Sequence, residues 1–156
     1  MFHPRLYNII NAFSNLTAVD TLITCLQQKD YTTVFCIIFA ALSSFFSHLA
    51  ENHKHNLPGV LGLTPRQSYI LNRIDVLAVS VTIAKMIVIY YHRYGTSLFY
   101  FKIHPKFTLL LLIALILNLA SERVPVIAEN PAYYSWCHST WHILIFILVR
   151  EFLINF

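Results

Sequence analysis

Five apolar segments dominate this chain and constrain its fold more than any other feature. A helix needs about 20 mostly apolar residues to cross the hydrocarbon core of a bilayer. The segments are residues 6–26, 31–50, 69–91, 107–119 and 133–156. The first is weak because three asparagines and Asp20 interrupt it, and the fourth starts beyond an expected kink near Pro105. We therefore predict an all-α, polytopic transmembrane helical bundle of about five helices.

The composition agrees with an integral, multi-pass membrane protein. Hydrophobic residues make up 57% of the 156 residues and charged residues only 12%, whereas about a quarter of a soluble domain is charged. No linker-like stretch divides the chain, so we expect residues 1–156 to form a single transmembrane helical domain. The net charge of +4 is spread along the sequence. Without a basic block, nucleic-acid binding is excluded as a function.

The hexapeptide CHSTWH, residues 137–142, opens the last apolar segment. It places His138 and His142 four residues apart, which is one face of a helix. An ionisable group near the bilayer centre costs roughly 2.5–3.5 kcal/mol on insertion scales, so such residues usually have a function. Two histidines at this spacing form half of a metal site. The alternative is that they anchor the helix at the membrane interface beside the tryptophans.

The predicted topology brings further polar residues to the same depth. Five spans would put the amino terminus, the loop after the second span and the loop after the fourth span on one membrane side, here called face A; the opposite side is face B. The second helix then carries Ser44 and His48 in its last turns before face A. The third helix leaves face A with Asp75 in its second turn, and the fifth leaves it with His138 and His142. We expect these five side chains to converge.

Their chemistry suits a zinc site. Zinc is bound by neutral histidine nitrogens at about 2.0–2.1 Å, and catalytic sites use three protein ligands and leave one position open. We expect His48, His138 and His142 to be the ligands. Asp75 is suited to accept a proton from the attacking water, and Ser44 to donate a hydrogen bond to the oxyanion of an attacked carbonyl. Taken singly, Ser44 is also explained by helix packing, and Asp75 by an ion pair with Arg73 or by capping of the helix start.

The order and spacing of these residues resemble the CREST superfamily of membrane proteins. That group contains the alkaline ceramidases, the progestin and adiponectin receptors, the GPI-anchor lipid-remodelling proteins and the myomaker-type proteins. Its signature is a Ser and a His one turn apart, an Asp in the next helix and HxxxH in the last, here Ser44, His48, Asp75, His138 and His142. The resemblance implies that the three histidines hold zinc and that Asp75 and Ser44 lie beside the water that zinc activates.

The resemblance covers residues 41–79 and 134–146, and the chain departs from the pattern elsewhere. Family members have seven spans, whereas only one predicted helix separates the third from the last here. Our first hypothesis is a zinc-dependent hydrolase that cleaves an amide or ester bond of a membrane lipid. The second is a non-enzymatic receptor, lipid-remodelling or fusion-type protein with structural zinc, and the third is a membrane protein without metal. The substrate, the organelle and assembly into a homo-oligomer stay open.

Four further ionisable residues have simpler expected roles. Asp20 and Lys85 both lie about 21–24 Å from face A at 1.5 Å per residue, so we predict that they form an ion pair. His53 and His55 are expected to be solvated loop residues. Lysine and arginine divide evenly between the two faces, and the sequence therefore predicts no orientation in the membrane.

Overall fold

The protein is an all-α helical bundle, as the apolar segments predict. The computed structural model describes residues 3–155, and these contain helices and no strand. The helices are α1 (Pro4–Ser14), α2 (Ala18–Gln27), α3 (Tyr31–Ala50), α4 (Pro65–Tyr94), α5 (Phe99–Ile103), α6 (Pro105–Arg123), α7 (Pro125–Ala128) and α8 (Pro131–Ile154). A 3-10 turn, Asn15–Thr17, joins α1 to α2, so that Pro4–Gln27 acts as one span. Five spans of the described chain are long and apolar enough to cross a membrane.

Local sequence signals explain where the helices begin and end. Proline stands in the first turn of α1, α4, α6, α7 and α8, where its missing N–H costs nothing. The Asp30 side chain caps α3, and Thr64 forms a capping box with Gln67 at the start of α4. Gly95 ends α4 with a φ of 58°, a conformation that glycine adopts without steric cost. These signals place the ends of α3 where the apolar pattern predicted them.

The α1–α2 span, α3 and α8 form the centre of the bundle. Their apolar windows are 44–50% buried, whereas those of α4 and α6 are only 11% buried. Helix α4 packs mainly on α3, and α6 packs mainly on α8. Ala18, Ile37 and Phe146 form the apolar core between the three central helices, and Thr21 Oγ1 donates to the carbonyl of Phe146 at 2.9 Å. The lightly buried sides of α4 and α6 are apolar surfaces suited to lipid.

Contacts between chain segments confirm the predicted grouping at face A. Asn8 of α1 donates to the backbone carbonyls of Glu51 and Pro58, which lie in the loop between α3 and α4. In the same loop, Asn56 donates to the carbonyl of Glu129 between α7 and α8. Three connections that the topology assigned to one side therefore touch one another.

The structure corrects three expectations about the spans. Helix α4 begins at Pro65 rather than residue 69, because the capping box starts it one turn earlier, and Asp75 consequently lies in its third turn. The longer helix carries Lys85 to the face B end, where Nζ lies 3.7 Å from Asp30 Oδ2. The predicted Asp20–Lys85 pair is therefore wrong, and Asp20 is exposed on α2.

Candidate metal centre

Three buried histidines meet between α3 and α8 near face A. His48 lies in the last turn of α3, and His138 and His142 lie one turn apart on α8. Their ring centroids are 4.7–5.0 Å apart, and each side chain is almost inaccessible to solvent. One nitrogen from each ring lies within 4.8 Å of the others. The structure thus brings together the three histidines that the sequence selected, close enough to bind a metal ion.

The hydrogen bonds around His142 determine which ring nitrogen carries its proton. Ser14 Oγ, at the end of α1, lies 2.8 Å from His142 Nδ1. The Ser14 hydroxyl already donates its only hydrogen to the carbonyl of Asn11, at 2.6 Å. Because a hydroxyl has one hydrogen and two lone pairs, Ser14 must accept from His142. Nδ1 of His142 is therefore protonated, and its Nε2 keeps a free lone pair.

The same reasoning applies to the other two histidines. Ser121 donates to the carbonyl of Asn118 at 2.8 Å and so accepts from His138 Nδ1 at 3.3 Å. The Glu51 carboxylate can only accept, and its Oε2 lies 3.2 Å from His48 Nδ1. In its neutral form, each of the three imidazoles then carries its proton on Nδ1. Metal-ligating histidines characteristically donate their second nitrogen to an oxygen in this way.

The free nitrogens fit a transition-metal ion. His48 Nε2 is buried and has no hydrogen-bond partner in the described part of the chain, which is costly for a polar atom unless something binds it. Around one tetrahedral zinc ion, nitrogens at about 2.0–2.1 Å from the metal lie about 3.4 Å from one another. One ring nitrogen of each histidine lies within 4.8 Å of the other two, which is below the roughly 6 Å at which one ion could no longer be shared. Small ring rotations would close the difference.

Asp75 and Ser44 both approach this centre with unpaired oxygens. Ser44 precedes His48 by one helical turn, is 3% exposed, and its Oγ has no partner among the described residues. Asp75 Oδ1 is likewise buried and has no partner in the described part of the chain, and its carboxyl group lies within electrostatic reach of His48. Arg73, one candidate partner of Asp75, instead lies over the Tyr69 ring at 4.6 Å. Both oxygens remain available for a ligand.

A charged cluster covers the face A side of the histidines. Lys54 Nζ lies 3.0 Å from Glu122 Oε2 and 3.8 Å from Glu51 Oε1, and Glu122 Oε1 lies 3.8 Å from His138 Nδ1. Burial alone would raise the pKa of the Glu51 carboxyl, but the hydrogen bond from His48 and the nearby charge of Lys54 outweigh burial and lower that pKa. Glu51 therefore remains an anion beside the histidines.

The expectation that His55 is solvated is wrong, and His53 is only partly exposed. His55 stacks on Tyr134 with ring centroids 3.8 Å apart, and its Nδ1 lies 2.8 Å from the carbonyl of Ala128. His53 Nδ1 lies 2.8 Å from Ser68 Oγ, and burial lowers the pKa of His53. These contacts hold the loop after α3 over the charged cluster, because they tie it to α4 and α8.

Sequence reasoning missed the residues that support the histidines. Ser14 lies in the first apolar segment and Ser121 just beyond the fourth, and a serine in such a helix usually bonds to its own helix. Glu51 was assigned to a polar loop, although its position three residues after His48 places it within reach of that side chain. A further signal was the polar face of the first span: Asn11 Oδ1 accepts from Ser135 and Ser139 at 2.8 Å each.

Comparisons with known proteins identify a relative without an established role. No protein-family model matches the chain, and no solved structure matches it. Uncharacterized protein L282 of Acanthamoeba polyphaga mimivirus is 34% identical to it over 148 residues, which cover 95% of this chain and 97% of the viral protein. The similarity extends over nearly the whole of both chains. The chain therefore belongs to the same family as the uncharacterized mimivirus protein L282.

Proposed function

We propose that this is a multi-pass membrane protein of the CREST type that binds zinc and hydrolyses an amide or ester bond of a membrane lipid. The observation that carries the proposal is the convergence of three buried imidazoles, each with a side-chain oxygen within hydrogen-bond distance of its Nδ1. Ser44 and Asp75, the other two residues of the CREST signature, lie beside them with unpaired oxygens.

The donor set and the local charge favour zinc. Three neutral histidine nitrogens with one position left open are typical of catalytic zinc. Glu51, Asp75 and Glu122 contribute three negative charges around the histidines, and Lys54 contributes one positive charge. Two negative charges remain, and an uncompensated charge in a membrane-embedded site is expensive. A divalent cation held by His48, His138 and His142 would balance them.

A bound zinc ion would act as a Lewis acid and lower the pKa of water toward about 7. Asp75 would accept the proton of the attacking water and return it to the leaving nitrogen or oxygen. The Ser44 hydroxyl would donate a hydrogen bond to the carbonyl oxygen as negative charge develops on it. Cleavage of the C–N or C–O bond then yields a fatty acid and an amine or alcohol, with one water consumed.

The surroundings favour a carbonyl over a phosphate as the reacting group. Lys54 is the cation of the charged cluster, and both its contacts are to carboxylates. A phosphodiester anion entering between Glu51, Asp75 and Glu122 would be repelled, whereas an uncharged amide or ester would not. The apolar outer surfaces of α4 and α6 would let a lipid reach the site from within the bilayer.

A structural role for zinc is the second candidate. His48 lies on α3 while His138 and His142 lie on α8, so a shared ion would join two of the three central spans of the bundle. A receptor, lipid-remodelling or fusion-type protein would use the ion in this way without turnover.

Metal content and lipid cleavage together test the proposal. Protein purified in detergent would be assayed for zinc by elemental analysis, and for fatty-acid release from vesicles that contain N-acylsphingosine or diacylglycerol. We expect about one zinc per chain and fatty-acid release in the wild type, with His138→Ala losing both. Asp75→Asn should keep zinc and lose release, whereas Asp20→Asn, the same substitution at an exposed position, should keep both. A wild type without zinc would overturn both candidates, and zinc without release from either lipid would favour the structural one.

A further inference from the structure

We infer that Ser14, Ser121 and Glu51 are positioning residues that hold the three imidazoles in the single tautomer able to bind a metal. The inference rests on the proposed metal site, but not on its being an enzyme. Neutral imidazole carries one proton, and a proton on Nε2 would remove the lone pair needed to bind a metal while Nδ1 is engaged with an oxygen. The side chains that fix the proton on Nδ1 therefore leave Nε2 able to bind a metal.

Ser14 shows how an ordinary hydroxyl can act in this way. It is the last residue of α1, and the 3-10 turn that follows keeps its side chain directed toward α8. Its hydrogen is committed to the Asn11 carbonyl at 2.6 Å, and the oxygen facing His142 can only accept. Asn11 is itself anchored to α8 through Ser135 and Ser139. The first span thereby contributes directly to the site.

Ser121 repeats this arrangement on a different helix. It is fully buried near the end of α6, donates to the carbonyl of Asn118, and faces His138. Glu122, the next residue, also lies near His138 Nδ1, at 3.8 Å. Two acceptors from α6 therefore approach the same ring nitrogen. The lightly packed α6 would be held to α8 by the same contacts that select the tautomer of His138.

Glu51 differs from the serines because it is charged. Its carboxylate is 3% exposed and accepts from His48 Nδ1 at 3.2 Å and from the Tyr134 hydroxyl at 3.4 Å. A carboxylate both orients the ring and makes Nε2 a stronger ligand, because it stabilises positive charge on the imidazole. The Asn8 side chain holds the Glu51 backbone carbonyl at 2.9 Å, which keeps the carboxylate in place.

Zinc affinity of the purified protein, measured by competition with a chromogenic chelator, tests the inference directly. We expect Ser14→Ala and Glu51→Leu to weaken zinc binding by about 10- to 100-fold, the usual effect of removing an outer hydrogen-bond partner. Ser14→Thr keeps the hydroxyl and should bind zinc like the wild type. Ser80→Ala is the matched control, because Ser80 is exposed on α4 and donates only to its own helix. Glu51→Gln keeps an acceptor oxygen without the charge and should lie between wild type and Glu51→Leu.

Replacing zinc with cobalt adds a measurement, the visible spectrum of bound Co²⁺, that a general loss of protein stability would not change. The visible spectrum of bound Co²⁺ reports coordination geometry, and we expect it to change in Ser14→Ala and to be restored in Ser14→Thr. If Ser14→Ala and Glu51→Gln bind zinc and cobalt as the Ser80→Ala control does, the inference is wrong even though the metal site stands. If the wild type binds neither ion, the proposed function fails first. Should Ser14→Ala or Glu51→Leu not fold, Glu51→Gln decides the outcome: zinc binding weaker than in the Ser80→Ala control supports the inference, and binding equal to that control contradicts it.

Discussion

Asn11 is the residue through which the first span is attached to the last, and replacing it gives a quantitative test of the fold. Its side chain is fully buried, and its Oδ1 accepts from the hydroxyls of Ser135 and Ser139, both at 2.8 Å. Interhelical hydrogen bonds in membrane proteins contribute about 0.6 kcal/mol on average and up to about 1.7 kcal/mol each. Asn11→Leu, which keeps the branched shape but removes the acceptor oxygen, should therefore lower the free energy of unfolding by about 1–3 kcal/mol.

Asn15→Leu is the matched control for this substitution. Asn15 is also buried in the first span, but its Nδ2 donates only to the carbonyls of Asn11 and Ala12 within its own helical segment. Unfolding would be followed by tryptophan fluorescence during titration with a denaturing detergent, since both tryptophans, Trp136 and Trp141, lie on α8. Equal losses in the two variants would refute the reasoning, because the loss would then not depend on a bond between helices.

Three further predictions concern the metal, the face B end and the loop after α3. Acidification should release zinc from the wild type, because protons compete for the ligand nitrogens, and His138→Ala should show no such step in a metal-release titration. Burial alone would raise the pKa of Asp30, but hydrogen bonds from two threonines and the charge of Lys85 outweigh burial and lower it. The stability that Asp30 contributes is thus present above its unfolded pKa of about 3.9. This stability should be lost as the pH falls through the lower folded pKa. Melting curves of Asp30→Asn should not show this loss in acid. Gly59→Ala would place a Cβ 2.9 Å from the backbone carbonyl oxygen of Ala50, so thermal melting should show a destabilisation of about 1–3 kcal/mol.

The sequence predictions were accurate for features set by residues close together in the chain and less accurate for contacts between separate helices. The bounds of α3 were predicted correctly because an apolar run and an adjacent cap, Asp30, both act locally. The start of α4 was predicted one turn late, since the apolar pattern begins after the capping box of Thr64. That single turn, about 6 Å at 1.5 Å per residue, gave Lys85 the wrong partner.

The site divides in the same way. His138 and His142 could be paired from their spacing, because helical periodicity places residues four apart on one face. His48 could be added because successive spans run in opposite directions. The second span therefore ends near face A, where the fifth span begins. Ser14 could not be selected, since only the bond to the Asn11 carbonyl turns its oxygen into an acceptor for His142. Glu51 was hidden for a similar reason: a loop carboxylate looks solvated until Tyr134 and Asn8 are seen around it.

The sequence by itself determined the helical class, the number of spans and the three histidines that meet, because hydropathy, helix length and periodicity are properties of contiguous residues. Only the tertiary structure decided which nitrogen of each ring is free, which carboxylates surround the rings and where Lys85 finds its counter-ion. Those outcomes depend on which donors and acceptors from separate helices come within hydrogen-bond distance. Once a hydroxyl has donated its one hydrogen to a neighbour, its oxygen can only accept further hydrogen bonds. No local pattern in the sequence shows which neighbour receives that hydrogen.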